Sequence, residues 1–113
     1  MQYLMLIYKD EAKLQAASAE ERAAHGQGYG ELNAVLGQEG GVGRGTATWP
    51  ANITTVRLRD GKTETSDGPY VETGDRVGGF FLIEAEDLKA AVEIAERVPD
   101  AKYGGVEIRP IQQ

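Results

Sequence analysis

Two neighbouring stretches decide the fold of this chain: Asp67-Gly68-Pro69-Tyr70-Val71-Glu72-Thr73 and Gly78-Gly79-Phe80-Phe81-Leu82-Ile83-Glu84. The residues Asp67-Gly68-Pro69 of the first stretch favour a tight turn, because glycine accepts positive φ and proline restricts both its own φ and the conformation of the residue before it. The second is an apolar run of strand length. A rigid polar turn beside an apolar strand is where a fold presents fixed side chains to a ligand.

Upstream of these stretches, the pattern predicts a strand followed by a helix. Residues 3–8 are apolar on both alternating faces, which is typical of a central strand covered on both sides. Ser18-Ala19-Glu20-Glu21 is a capping box, so a helix is expected from about residue 19 to about residue 36. One stripe of this helix is expected to face the sheet, and it consists of His25, Tyr29, Leu32 and Leu36.

The remaining elements follow from turn signals and periodicity. The Gly-rich segment 40–45 is interpreted as a link, and Asp60-Gly61 predicts a hairpin between residues 53–59 and 62–66. Residues 78–85 are expected to form the most apolar strand. A second helix is expected over 86–98, ended by Pro99, and a last strand over 105–111.

This order predicts one α+β domain over residues 1–113. The predicted elements follow the split βαβ order of a ferredoxin-like sandwich: a strand, a helix, a hairpin-bearing strand region, a strand, a helix and a strand. Both helices would cover one face of an antiparallel sheet, while the other face stays too apolar for water. A homodimer that packs sheet against sheet would cover that face.

The segment 67–84 resembles the DGPF signature of the YCII-related (YciI-like) family of small bacterial proteins. Members typically read DGPF-x-ET-K-E-x-LGGF-x-LIEA; here Tyr70 replaces the phenylalanine, and residues 74–77 stand where Lys-Glu-x-Leu is usual. The resemblance covers nearly the whole chain and implies a dimeric α+β barrel. It also implies a histidine on the first helix that is paired with an aspartate and suspected of catalysis.

His25 falls at the place of that family histidine, and it is the only histidine of the chain. Its unperturbed pKa range suits a group that exchanges protons near neutral pH. Asp67 is the candidate partner, since a carboxylate on a fixed turn can orient an imidazole. The competing interpretations are a buried structural histidine and an Asx turn at Asp67.

Further candidate residues surround this catalytic pair, His25 and Asp67. A ligand could stack on Tyr70, although an aromatic residue beside a turn is more often part of the rim of the core. Glu72 and Thr73 could contact the ligand too, or their side chains could bond to the backbone of the loop. The candidate ligand-binding residues are Tyr8, Tyr29, Gly68, Pro69, Tyr70, Glu72 and Thr73.

Composition narrows the classes of partner. The formal net charge is −6, with 12 Lys and Arg among 18 acids, so nucleic acid and anionic membrane surfaces are not expected partners. With one histidine and no cysteine, neither a metal site nor a cofactor is expected. The lack of cysteine and of an export signal predicts a cytoplasmic protein.

Two functional hypotheses stay open at this point. The first is a small-molecule enzyme that uses His25 and Asp67 in general acid/base chemistry. The second is a non-catalytic ligand-binding or regulatory dimer, because members of the resembled family are often encoded beside extracytoplasmic-function sigma factors. Fold analogy selects neither hypothesis.

Overall fold

A computed structural model describes residues 1–38, 40–46, 53–71 and 76–112 of the chain. These residues form three helices, a short 3-10 turn and six strands. In chain order the elements are β1 (Gln2–Lys9), α1 (Glu11–Ala16), α2 (Ala19–Gln38), β2 (Gly41–Thr46), β3 (Thr54–Arg59), β4 (Lys62–Asp67), β5 (Arg76–Glu84), α3 (Leu88–Ala95), the 3-10 turn (Pro99–Ala101) and β6 (Gly105–Pro110).

The main sheet has four strands in the order β2-β5-β1-β6, and every neighbouring pair is antiparallel. One face of β1 is buried through Tyr3, Met5 and Ile7, which pack in one core with side chains of α2 and α3. Two helices therefore cover one face of an antiparallel sheet. This mixed α+β architecture, predicted from the sequence, is compatible with a ferredoxin-like fold.

The Gly-rich segment was expected to be a link, and this expectation is wrong. Residues 41–46 form β2, an edge strand that pairs with β5. The glycines permit this pairing, because a Cβ on Gly45 would lie 2.6 Å from the Phe80 ring and one on Gly79 would lie 2.9 Å from the Gly45 carbonyl oxygen. Glycine here allows close approach of two strands rather than marking a loop.

The predicted hairpin exists, but it stands apart from the main sheet. β3 and β4 form their own two-stranded sheet, and Asp60 and Gly61 turn between them with φ values of 53° and 74°. Two successive positive φ values are those of the turn that Asp-Gly favours. The hairpin is thus inserted between two strands of the main sheet.

Local capping explains where the helices begin. Ser18 and Glu21 form the predicted capping box, with Glu21 N donating to Ser18 Oγ at 3.0 Å and Ser18 N donating to Glu21 Oε1 at 3.2 Å. Asp10 caps α1, a short helix that was not predicted, and Asp87 caps α3. α3 ends at Ala95 rather than at the predicted residue 98, and a turn leads from it into the 3-10 turn at Pro99.

The face of the main sheet turned away from the helices carries apolar side chains. Leu4 lies opposite Leu82 and Leu6 lies opposite Phe80 in the β1–β5 register. These side chains are partly buried or exposed within the chain, whereas the alternate residues of both strands form the core. We call Leu4, Leu6, Phe80 and Leu82 the open sheet face.

Within the described ranges, no helix is long and apolar enough to cross a membrane.

Candidate active site

His25 of α2 lies against a buried carboxylate, that of Asp100 in the 3-10 turn. Its Nε2 is 3.1 Å from Asp100 Oδ2, and the two side chains are 13% and 1% exposed. The pair brings together two elements that are far apart in sequence. An ionised carboxylate removed from water favours a cation beside it, so Asp100 is placed to stabilise the imidazolium form of a histidine.

Tyr29 and Lys9 converge on the same carboxylate oxygen. The Tyr29 hydroxyl donates to Asp100 Oδ2 at 2.5 Å, and Lys9 Nζ lies 4.0 Å from that oxygen. Burial, and after it the hydrogen bond to Asp100, raises the pKa of the Tyr29 phenol. Tyr29 therefore stays protonated as a donor to Asp100 across the neutral range.

The backbone around Asp100 fixes this carboxylate in place. Gly104 N donates to the Asp100 carbonyl oxygen at 2.8 Å, and Pro99 begins the 3-10 turn with its own fixed φ. On the facing helix, a Cβ on Gly28 would lie only 2.8 Å from Pro99 Cγ. Gly28 thus lets α2 approach the turn closely enough for Tyr29 and His25 to reach Asp100.

The contact between His25 and Asp100 is close, but it is not an aligned hydrogen bond. The distance of 3.1 Å suits one, yet His25 Nε2 is buried without a hydrogen-bond partner among the described residues, and so is Asp100 Oδ1. A small rotation of the imidazole would align the two groups, which already lie within hydrogen-bonding distance.

His25 also lines a pocket of about 320 Å³ between α2 and the end of α3. Tyr103 lies beside it, with its ring centroid 6.0 Å from that of the imidazole in an edge-on arrangement. Two further lining residues form an ion pair, with Lys102 Nζ 3.8 Å from Glu21 Oε2. The hydrogen bonds with Ser18, first from its backbone and then from its side chain, lower the pKa of Glu21. The histidine is therefore both anchored on a carboxylate and open to a small molecule.

Asp67 does not occupy the position predicted for it. It ends β4 on the separate hairpin and is exposed, and in the described part of the chain neither an ion pair nor a direct hydrogen bond joins it to His25. The prediction of a direct pair is corrected in favour of Asp100. The reason is topological, since the hairpin that carries Asp67 does not belong to the sheet on which α2 packs.

The other predicted ligand-binding residues are spread over the molecule. Of those that the structure describes, only Tyr29 joins His25 at Asp100, whereas the Tyr8 hydroxyl donates to Glu107 Oε2 at 3.2 Å on the other face of the sheet. Burial and then Glu107 raise the pKa of Tyr8. Tyr70 is 66% exposed, and the centroid of its ring lies 4.8 Å from the guanidinium carbon of Arg57.

The turn after β4 has the backbone that was predicted. Gly68 has a φ of 106°, and its carbonyl oxygen accepts a 2.7 Å hydrogen bond from Thr55 Oγ1. Gly68 and Pro69 therefore hold the loop, and neither lines the pocket of His25. Glu72 and Thr73, also predicted to bind a ligand, lie outside the described residues.

Sequence reasoning missed Asp100 and Lys9. The available signal was Pro99-Asp100 directly after a helix, a place where a 3-10 turn commonly begins with proline. Burial of the carboxylate was not readable from the sequence. Among the described residues, no group of three or more His, Asp or Glu is arranged to hold a metal ion.

Fold and site together define a class of protein: a small α+β domain that holds a helix-borne histidine against a buried aspartate. The YCII-related domain matches residues 1–113, and the chain therefore belongs to the YCII-related family. It is also similar to the uncharacterised protein R00369 of Rhizobium meliloti (strain 1021). The two are 34% identical over 119 residues, which cover 98% of this chain and 92% of that protein.

Proposed function

We propose that this protein is a small-molecule enzyme of general acid/base type, in which His25 transfers the proton and Asp100 orients the imidazole. The observation that carries the proposal is the 3.1 Å contact between His25 Nε2 and the buried Asp100 carboxylate. A histidine that is both held by a carboxylate and open to a pocket has the arrangement that proton transfer requires.

The proton route follows from which ring nitrogen faces Asp100. Since Nε2 is the ring nitrogen that lies 3.1 Å from the carboxylate, Nδ1 is the nitrogen left to take a proton from a substrate in the pocket. The imidazolium so formed is stabilised by the carboxylate of Asp100, which also accepts a hydrogen bond from the Tyr29 hydroxyl. His25 then returns the proton to the product, so the site ends the reaction cycle with the same net charge that it had at the start.

We further propose that the working unit is a homodimer with a barrel formed by two open sheet faces. Supporting this, Phe80 on that face is 39% exposed, and the apolar hairpin side chains Val56 and Leu58 are 64% and 65% exposed. The radius of gyration is 15.9 Å, whereas a compact chain of about 100 residues has about 13 Å. A second copy would cover these apolar side chains.

We place this activity in the cytoplasm, since a chain without cysteine suits a reducing compartment. The competing function is ligand binding without catalysis, in a regulatory dimer that uses the same pocket. The two functions differ in one respect: only the enzyme needs a titrating group at His25.

A solvent-exchange screen tests the enzyme proposal. The protein is incubated in D₂O with a panel of small keto acids, lactones and enolisable ketones, and loss of carbon-bound proton signals is followed by NMR. His25→Gln, which keeps a polar side chain of similar length, and Asp100→Asn are the test variants. Glu64→Gln, on the exposed face of the hairpin, is the control.

The proposal expects at least one compound to exchange in the wild type and in Glu64→Gln. It expects a loss of about 100-fold or more in His25→Gln, which is the usual contribution of general acid/base catalysis. Exchange that persists in both test variants would contradict the assigned roles. Compounds that bind without any exchange would favour the regulatory dimer.

A further inference from the structure

A second pocket lies apart from the pocket of His25 and shares no lining residue with it. It has a volume of about 300 Å³ and is bounded by the end of β1, by α2, by β2 and by β5. Lys9 and Tyr29, which both contact Asp100, line it, whereas His25 does not. We call it the β2 pocket.

Charge is the first unusual property of the β2 pocket. The chain has 18 acids against 12 basic residues, yet the described lining contains two cations, Lys9 and Arg44, and no acid. Lys9 Nζ is 5.6 Å from the centroid of the Tyr29 ring, and its ion pair with Asp100 is long at 4.0 Å. Hydrogens of the ammonium group therefore remain for a ligand.

The guanidinium of Arg44, a residue whose backbone pairs with β5, makes no ion pair or hydrogen bond with any residue that the structure describes. A guanidinium presents a planar fork of donors that matches a carboxylate with two parallel hydrogen bonds. Arg44 lies in β2 opposite Phe81 of β5, and both residues line the pocket.

The floor of the pocket is shaped by the glycines of β5. Gly78 lies at a bulge, where the register between β1 and β5 shifts, and a Cβ there would meet the Lys9 stem at 2.5 Å. The missing side chain thus lets the Lys9 stem lie across β5 and brings its ammonium to the pocket. The rest of the floor is apolar, through Ile7 and Phe81.

Asn33 of α2 adds an unsatisfied polar atom to this lining. Its Oδ1 is buried and has no hydrogen-bond partner among the residues described. An amide oxygen only accepts hydrogen bonds, so Asn33 offers a position to a donor on the body of a ligand and none to an anionic end. The two cations and the apolar floor suit a ligand with a negatively charged end and an apolar body.

We propose that the β2 pocket binds a small carboxylate with an apolar body, with Arg44 and Lys9 holding the carboxylate. The site is separate from the pocket of His25 and does not depend on His25 being catalytic. A carboxylate fits better than a free phosphate, because the apolar floor would leave a fully hydrophilic anion partly desolvated without partners.

Binding of benzoate to the full chain tests this proposal. Benzyl alcohol, of nearly the same shape but neutral, tests the need for charge, and inorganic phosphate tests the need for an apolar body. Affinities are measured by calorimetry, and backbone amide shifts in NMR report the location. The variants are Arg44→Met and Lys9→Met, with Arg59→Met on the exposed hairpin as the control.

We expect saturable binding of benzoate that shifts the amide signals of Gly45, Thr46 and Gly79. Benzyl alcohol should bind the wild type at least about tenfold more weakly than benzoate does. Arg44→Met should likewise bind benzoate at least about tenfold more weakly than the wild type does. Arg59→Met and His25→Gln should bind as the wild type does. Phosphate binding as strong as benzoate, shifts confined to other residues, or an unchanged affinity in Arg44→Met would overturn the proposal. Since His25→Gln is required to bind, failure of this site and failure of the enzyme proposal give different results.

Discussion

Tyr29 and Asp100, 71 positions apart in the sequence, are joined by a hydrogen bond of 2.5 Å. This bond ties the middle of α2 to the 3-10 turn after α3, and it fixes the carboxylate that His25 meets on the same oxygen. Tyr29 is therefore a positioning residue for the pair, as well as a part of the core.

Removing only the Tyr29 hydroxyl should measure the strength of this tie. Tyr29→Phe is expected to lower the free energy of unfolding by about 1.5–3 kcal/mol, because the lost bond has a charged acceptor that stays buried. Urea unfolding checks this, with Tyr70→Phe as the matched control, expected to stay within about 0.5 kcal/mol. Equal losses in the two variants would contradict it.

The same pair predicts a pH dependence. Burial and the Asp100 hydrogen bond raise the pKa of Tyr29 above its ordinary value. A group whose pKa is raised on folding stabilises the fold below its unfolded pKa, near 10, and loses that contribution as the pH rises further. The stability gap between wild type and Tyr29→Phe should thus be full at about pH 8 and narrow above about pH 10. A constant gap across that range would contradict this.

Three glycines of α2 provide an internal test of the contact between α2 and the 3-10 turn. A Cβ meets nothing within 4 Å at Gly30, but it would lie 2.8 Å from Pro99 Cγ at Gly28. Gly30→Ala should therefore stabilise the helix by up to about 1 kcal/mol. Gly28→Ala should forfeit this gain, because Pro99 and with it Asp100 must move.

Urea unfolding measures the stabilities of the two glycine variants, and NMR signals of the His25 ring report displacement of Asp100. Gly26→Ala, also in open space, should behave like Gly30→Ala. If Gly28→Ala stabilises as much as Gly30→Ala and leaves the His25 ring signals unchanged, the close contact does not position Asp100.

At Gly68 the cost of a side chain should come from the backbone alone. Its φ is 106° and the space around it is open, so Gly68→Ala should cost about 1–3 kcal/mol through strain. Gly105→Ala, likewise in open space but without a positive φ, should cause no loss. Denaturant unfolding of both variants compares them, and similar stabilities would show that the turn relaxes freely.

The sequence predicted those features that depend on local chemistry. The capping box at Ser18, the turn at Asp60-Gly61 and the positive φ of Gly68 each follow from the residues that form them. The stripe of α2 was also correct, since Leu32 and Leu36 are buried and Tyr29 packs against the core. Helical spacing decides which side chains share a face, whatever the rest of the chain does.

Features that depend on pairing between distant segments were not predictable in this way. β2 has the composition of a link, yet it pairs with β5, where a Cβ on Gly45 would lie 2.6 Å from the Phe80 ring. The partner of His25 was assigned to Asp67 because a carboxylate on a fixed turn can orient an imidazole. The actual partner, Asp100, depends on how the 3-10 turn after Pro99 packs on α2.

The proposed homodimer predicts that one charge on the open sheet face will separate the subunits. Leu6→Glu places a carboxylate beside Phe80 on that face, whereas Leu88→Glu changes a residue of α3 that is already 55% exposed. Sedimentation at micromolar concentration should give a dimer for wild type and Leu88→Glu, and a monomer for Leu6→Glu. Circular dichroism checks that each variant is folded, and a folded wild-type monomer would contradict the proposal.

NMR of the His25 ring nitrogens decides whether Asp100 rather than Asp67 orients the only histidine. We expect the Nε2-protonated tautomer in the wild type and in Asp67→Asn, since Nε2 lies 3.1 Å from the Asp100 carboxylate. We expect the tautomer balance to change in Asp100→Asn, whose amide can donate to Nε2 instead of accepting from it. Ring signals that change in Asp67→Asn and stay constant in Asp100→Asn would show that Asp100 does not orient the histidine.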